Sequence, residues 1–326
     1  MKKYISVLLS AMMMLVCLTG CSGQNGNSEQ EQRKFRITAT IFPIYDWVMS
    51  ILGEHAEEAD VTMLLNSGAD LHSYQPTADD IMKISTSDVF IYIGGESDEW
   101  VEDALSTAAN KNMVVLNLMD ILGDGAKEEE TVEGMQEEEH KDEHEEEAEY
   151  DEHIWLSLRN AAVLVNSISK VLQSADREHA ADYEKNTASY TAKLEELDQN
   201  YKDAVYASNY DTLLFGDRFP FRYLTDDYGL SYYAAFAGCS AEAEASFETV
   251  VFLAKKVDEL KLHSVMTIEG TDHRIAETII RNTETKDQQI LVMDSMQAVT
   301  GEDVQNGTTY LSIMNKNLEV LKDALE

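Results

Sequence analysis

His153 closes an extreme acidic stretch, Asp124 to Glu152, and is followed at once by Ile154-Trp155-Leu156. The stretch holds sixteen Asp and Glu against two lysines, Lys127 and Lys141, and so carries −14 of the chain's formal charge of −36. Two more histidines, His140 and His144, lie inside it four residues apart. Self-repelling polar sequence of this kind buries too little apolar surface to offset its ordering entropy, and is expected to be a mobile loop. Imidazoles and carboxylates together are the ligand set of a divalent transition metal. The pattern reads as a metal-gathering arm attached to a metal site, with His140 and His144 as auxiliary capture residues on one helix face or as part of a solvated charge run.

The elements that must position such a site alternate between strand and helix. Strands are expected at Phe35 to Ile41, Val61 to Leu65, Asp88 to Gly94 and Met113 to Leu118, the last two as short apolar runs of buried type. Helices are expected at Ile44 to Leu52, after a Thr77 cap, and at Trp100 to Ala108. Beyond the acidic loop come long helices; in one, Tyr183, Tyr190, Leu194, Leu197, Tyr201 and Val205 form a single stripe over Ala180 to Ala207. Alternation then resumes. Strands are expected at Thr212 to Phe215, Tyr232 to Phe236, Ser264 to Glu269 and Ile290 to Asp294, and helices at Pro220 to Tyr228, Ser246 to Leu260, Arg274 to Asn282 and Tyr310 to Leu325. This is an α/β chain: two lobes, each a mainly parallel sheet flanked by helices, joined by a long helix. Ligands of such sheets bind at the carboxyl ends of the strands. His72, Asp217, Glu269 and Asp294 all fall at or just after strand ends, and His153 enters from the loop. The site is therefore expected in the cleft between lobes.

The N-terminus sets the compartment. Met1-Lys2-Lys3 precedes an apolar run, Ile5 to Leu18, too short to span a bilayer and ending in Leu18-Thr19-Gly20-Cys21. That ending resembles the bacterial lipobox, which implies cleavage before Cys21 and lipid on its sulfur. The expected organisation is a signal peptide over 1–20, a tether over 21–34, and an N-terminal lobe over 35–156 that includes the acidic loop 124–152. A helical segment with the linking helix follows over 157–209, and the C-terminal lobe over 210–326. Of three cysteines, Cys17 leaves with the signal and Cys21 is lipidated, so Cys239 has no disulfide partner and is read as a small buried hydrophobe. A net charge of −36 argues against nucleic acid and suits attraction of cations.

The segments Asp70-Leu-His72-Ser-Tyr-Gln-Pro76-Thr and Asp151-Glu-His153-Ile-Trp-Leu156-Ser resemble two ligand segments of the zinc- and manganese-binding lipoproteins of metal-uptake ABC transporters. The lipobox, the acidic His-containing loop and the late strand Leu291-Val-Met-Asp294 resemble the same family, over essentially the whole mature chain. The resemblance implies two α/β lobes bridged by one helix, a single buried metal between them, and delivery of that metal to a membrane permease driven by a separate ATPase. It also implies His72, His153 and Asp294 as ligands, with Trp155 and Tyr74 packed beside them. The chain departs from the family at the third ligand. Where the family carries a histidine, this sequence has Arg218 in Arg-Phe-Pro-Phe-Arg-Tyr, and a guanidinium cannot ligate. Asp217, Glu269 or water is left to supply that oxygen.

The implied activity is capture by a monomeric, membrane-tethered receptor, not catalysis. Zinc is favoured by the histidine-bearing loop, and manganese is the alternative because two histidines and two carboxylates make a harder site. A surface adhesion or scaffold role is the other class. A zinc hydrolase is disfavoured because neither His-Glu-x-x-His nor Gly-x-Ser-x-Gly occurs, and no phosphate-binding loop is present. His55, His179, His263 and His273 lack partner spacing and are read as surface residues. Ligating imidazoles must be neutral, so affinity is expected to fall as pH drops through roughly 6.5. Deleting Gly125 to Glu149 is expected to slow capture while sparing the high-affinity site.

Overall fold

The structure, a computed structural model, describes residues 34–136, 149–240 and 244–326. Cys21, His140 and His144 lie outside the described residues. Eight strands form two four-stranded parallel sheets of the same pattern. The first has the order β2-β1-β3-β4, built from β1 (Phe35–Ala39), β2 (Ala59–Met63), β3 (Val89–Tyr92) and β4 (Val114–Asn117). The second has the order β6-β5-β7-β8, built from β5 (Thr212–Phe219), β6 (Ser231–Ala237), β7 (Ser264–Ile268) and β8 (Gln289–Met293). Within each sheet successive strands are joined by crossovers, and helices cover the faces, as parallel pairing requires.

The long helix Ala180–Ala207 buries Tyr183, Tyr190, Leu194, Leu197 and Tyr201, the stripe expected from spacing. At 1.5 Å per residue it spans roughly 42 Å. It lies against Leu158–Ala175, and also against helices of both halves, Phe42–Leu52 and Tyr310–Leu325. One apolar core accordingly runs from Ile37 and Trp47 through Trp155 and Tyr201 to Tyr310. A smaller second core, around Phe236, Leu253 and Ala276, belongs to the second sheet alone.

Three expectations are corrected. The apolar run Met113 to Leu118 is not a buried strand: β4 ends its sheet, and Val114 and Val115 are 41% and 38% exposed. The strand read as Thr212 to Phe215 continues to Phe219 past a register shift against β6 between Phe215 and Arg218. Gly216-Asp217-Arg218 hid that continuation, because these residue types have little strand preference. The glycine is there for space. A Cβ at Gly216 would lie 2.6 Å from the Ala276 Cα of the Arg274–Asn282 helix.

The third correction concerns the acidic loop, whose described flanks are docked rather than loose. Glu128 bridges Tyr150 in antiparallel fashion, Gln136 N donates to Ala235 O at 3.0 Å, and Met135 is buried. Glu129 Oε1 accepts the Cys239 amide at 2.9 Å. Local apolar anchors outweigh charge here, which a net-charge count cannot register. Gly134 permits the docking: its φ is +88°, and a Cβ would meet the Phe252 ring at 2.0 Å. Gly134→Ala should therefore open 128–136 to limited proteolysis. Equal protease resistance in Gly134→Ala and the parent would contradict the docking.

Candidate metal centre

His72 sits on a 3-10 turn, Leu71–Ser73, in the loop after β2. Asp70 caps that turn, its Oδ1 accepting the His72 amide at 3.0 Å, while Leu71 is buried beneath it. The imidazole Nδ1 lies 2.9 Å from Ser97 Oγ and 3.5 Å from Glu152 Oε2, which leaves Nε2 facing inward. His153 repeats the device. Asp151 Oδ1 accepts the His153 amide at 2.8 Å and holds its Nδ1 at 2.9 Å. His153 is fully buried, and the next turn is pinned by Trp155 Nε1 donating to Ser295 O at 2.9 Å and Tyr310 Oη donating to Trp155 O at 2.6 Å.

The two rings converge. His72 Nε2 and His153 Nε2 are 3.2 Å apart. Two nitrogens each bound at about 2.0–2.1 Å to one tetrahedral zinc would be roughly 3.3 Å apart. A ligand atom of Cys239 joins both histidines in a group whose donor atoms all lie within 4.8 Å of one another. Gln297 closes the remaining side, its Nε2 3.2 Å from His153 Nε2, while its buried Oε1 has no hydrogen-bond partner among the described residues. Nitrogen and oxygen of an amide are interchanged by a ring-like flip of the group, which would turn that oxygen toward the histidines.

The carboxylates proposed from strand-end position are each hydrogen-bonded to nearby residues. Asp217 Oδ1 accepts the Arg218 amide at 2.9 Å, and Oδ2 accepts the Ile268 amide at 3.3 Å, tying β5 to β7. Glu269 accepts Ser295 N and Ser295 Oγ, both at 2.7 Å, and Gln297 N at 3.2 Å. Asp294 Oδ1 accepts the Met296 amide at 2.8 Å. None of the three joins the His72–His153–Cys239 group. Glu269 and Asp294 shape the turn that presents Gln297. Burial first, and the charge of Glu269 second, push the Asp294 carboxyl up to about 7.

Arg218, at the position of the missing histidine, reaches across to Asp70 Oδ2 and to Ser240 O at 3.4 Å. It staples the second sheet to the turn that carries His72. Despite burial, that guanidinium holds the Asp70 carboxyl below the usual range.

Cys239, read from sequence as a small buried hydrophobe, and Gln297, not singled out there, stand beside the two histidines. Both lie in loops leaving the carboxyl ends of parallel strands, β6 and β8, which is the available signal. A cavity of about 400 Å³ opens onto His72 and Cys239 between Glu96, Glu129, Glu149 and Glu152. Burial raises the Glu129 and Glu152 carboxyls. It also pushes the Cys239 thiol well above its ordinary value, with Glu129, Asp151 and Glu152 adding to the effect.

Residues 37–324 match the profile of the zinc-uptake complex component A periplasmic family, ZnuA. The chain belongs to the ZnuA family. The zinc-binding lipoprotein AdcA of Streptococcus pneumoniae is 30% identical over 99% of this chain, which spans only 61% of AdcA's length. The high-affinity zinc uptake system protein ZnuA of Bacillus subtilis is 29% identical over 98% of this chain and 96% of its own. Among solved structures, the Zn(II)-bound ZnuA-like domain of S. pneumoniae AdcA superposes with a TM-score of 0.69 at 27% identity, covering 90% of this chain and 99% of that one. Two parallel sheets flanked by helices are thus the ZnuA-family fold.

Burial, then the neighbouring His153 and Arg218, lower the His72 pKa to about 3, against an opposing pull from Asp70. A lowered value means the ring stays neutral as pH falls past 6.5 and takes a proton only near 3. An onset near 6.5, as in free imidazole, is therefore not expected of the His72 ring. In the metal-free protein the His72 ring resonances should hold their neutral positions from pH 8 to 4 in an NMR titration. A midpoint near 6.5 would contradict the burial argument.

Proposed function

We propose that the chain is an extracytoplasmic zinc receptor, tethered by lipid on Cys21, that hands its ion to an ABC permease powered by a cytoplasmic ATPase. The observation that carries the reading is the 3.2 Å approach of the two imidazole nitrogens, the spacing of a shared tetrahedral ion. His72 and His153 supply the Nε2 ligands, Cys239 Sγ the third, and Gln297 Oε1 or water the fourth. Asp151 orients His153, and Ser97 with Glu152 orients His72, so both rings present lone pairs inward without rearrangement.

The donor set favours zinc over manganese. Two imidazoles and a sulfur are soft to borderline ligands, whereas manganese prefers carboxylate and water. The zinc named for AdcA and for the B. subtilis relative agrees with that chemistry. Binding at sulfur displaces the thiol proton that burial and three acids retain in the free protein. The ring of glutamates around the cavity mouth draws cations toward the ligands.

Native mass spectrometry of the chain beginning after Cys21, stripped and then offered equimolar zinc, manganese, iron, nickel and copper, tests the assignment. One tightly held zinc is expected, with His72→Ala weakening it by more than the roughly 10–100-fold typical of a group that merely orients a ligand. Cobalt substitution should show a thiolate charge-transfer band that Cys239→Ser removes. Loosely held ions unaffected by His72→Ala would overturn the reading. A tight site without the cobalt band would remove Cys239 from the ligand set.

A further inference from the structure

His55 and His179, read from sequence as isolated surface histidines, stack face to face with ring centroids 3.9 Å apart and planes 27° apart. His55 lies on the 3-10 turn Gly53–Glu58 that follows the Phe42–Leu52 helix. His179 immediately precedes the long helix Ala180–Ala207. Each ring is held from its far side by a carboxylate. His55 Nε2 lies 3.1 Å from Asp182 Oδ2, and His179 Nδ1 lies 2.8 Å from Asp176 Oδ2. Asp176 is itself fixed by Tyr183 Oη donating to Oδ2 at 2.7 Å.

The two remaining nitrogens turn toward one group, the Glu58 carboxylate. His55 Nδ1 is 3.0 Å from Glu58 Oε1, and His179 Nε2 is 3.8 Å from Glu58 Oε2. One donor atom from each of the three residues lies within 4.8 Å of the others. With Nε2–H of His55 donated to Asp182, its Nδ1 is a lone pair facing a carboxylate oxygen. That contact is repulsive unless a cation sits against it. A carboxylate behind each imidazole, with the other nitrogen aimed at a common point, is the supporting shell of a metal site. Exposure falls on one side: the histidine side chains are 14% and 20% exposed, and that of Glu58 is 62% exposed. An ion has open access past Glu58, and water can take a fourth position.

We propose that His55, Glu58 and His179 form a second site for a divalent transition cation of the zinc class, separate from the His72–His153 centre. Asp182 and Asp176 position its two rings. An ion there joins the turn after the first helix to the start of the long helix, so its binding raises the temperature at which this face of the protein opens. Two imidazoles and one carboxylate with an open position suit zinc. Solvent access makes the site weaker and faster-exchanging than the buried centre.

The test uses the chain beginning after Cys21 with His72→Ala, His153→Ala and Cys239→Ser and with residues 137–148 deleted, which removes the donors proposed for the buried centre together with His140 and His144. Titrated with zinc alone, this protein should bind one equivalent and gain melting temperature. Adding His179→Gln or Glu58→Gln should weaken that equivalent at least tenfold and abolish the thermal gain, each gain being read against the variant's own zinc-free melting temperature. Absence of any equivalent on this background would overturn the proposal and leave a proton as the cation between His55 and Glu58. So would an equivalent that persists unweakened in both variants. The comparison does not depend on the buried centre. Failure of His72→Ala to reduce binding in the parent chain would count against the receptor site alone, because the Glu58 and His179 variants still report their own equivalent.

Discussion

Two imidazole nitrogens brought to 3.2 Å from segments 81 residues apart are the constraint that the rest of the chain serves. Neither ring could hold that position alone, since exposed histidines sample several rotamers and repel one another once protonated. Each is therefore fixed twice. A carboxylate two residues earlier accepts the histidine's own amide, and a hydrogen-bonding group outside the ring sets the far nitrogen. The Trp155 and Tyr310 bonds then tie the His153 turn to the second half of the chain.

Carboxylates do much of this positioning, and they do it in two different ways. Asp151 holds the His153 ring directly. Asp217, Glu269 and Asp294 work on backbone amides at the strand ends, where parallel sheets leave such groups unpaired. Arg218 adds a cation in the same neighbourhood and turns it on Asp70, so it clamps the second sheet to the turn that carries His72.

Charge is arranged in layers around the centre. Glutamates line the cavity beside His72 and Cys239, and burial favours the uncharged forms of that imidazole and thiol. A cation is attracted from outside, while the buried ligands avoid the desolvation cost of carrying charge before it arrives. The free protein is thereby kept in the protonation state of low energy at each depth.

Sequence alone determined the α/β alternation and the long helix, and it singled out His72 and His153 as candidates. These rest on local signals: periodicity of 2 and 3.6, a Thr77 cap that does form a capping box with Asp80, and polar segments at strand ends. Only the tertiary structure showed which other side chains stand beside those histidines. Cys239 and Gln297 come from loops after β6 and β8 and meet the histidines through packing between the sheets, which no spacing encodes. The same holds for His55 and His179, separated along the chain and stacked in space. It holds in the opposite sense for Asp217, a plausible ligand by residue type whose oxygens the fold had already assigned to backbone amides. Residue type limits what a side chain can do chemically; which neighbour claims it is settled by long-range contacts, because hydrogen bonds and coordination depend on distance in space rather than position in the chain.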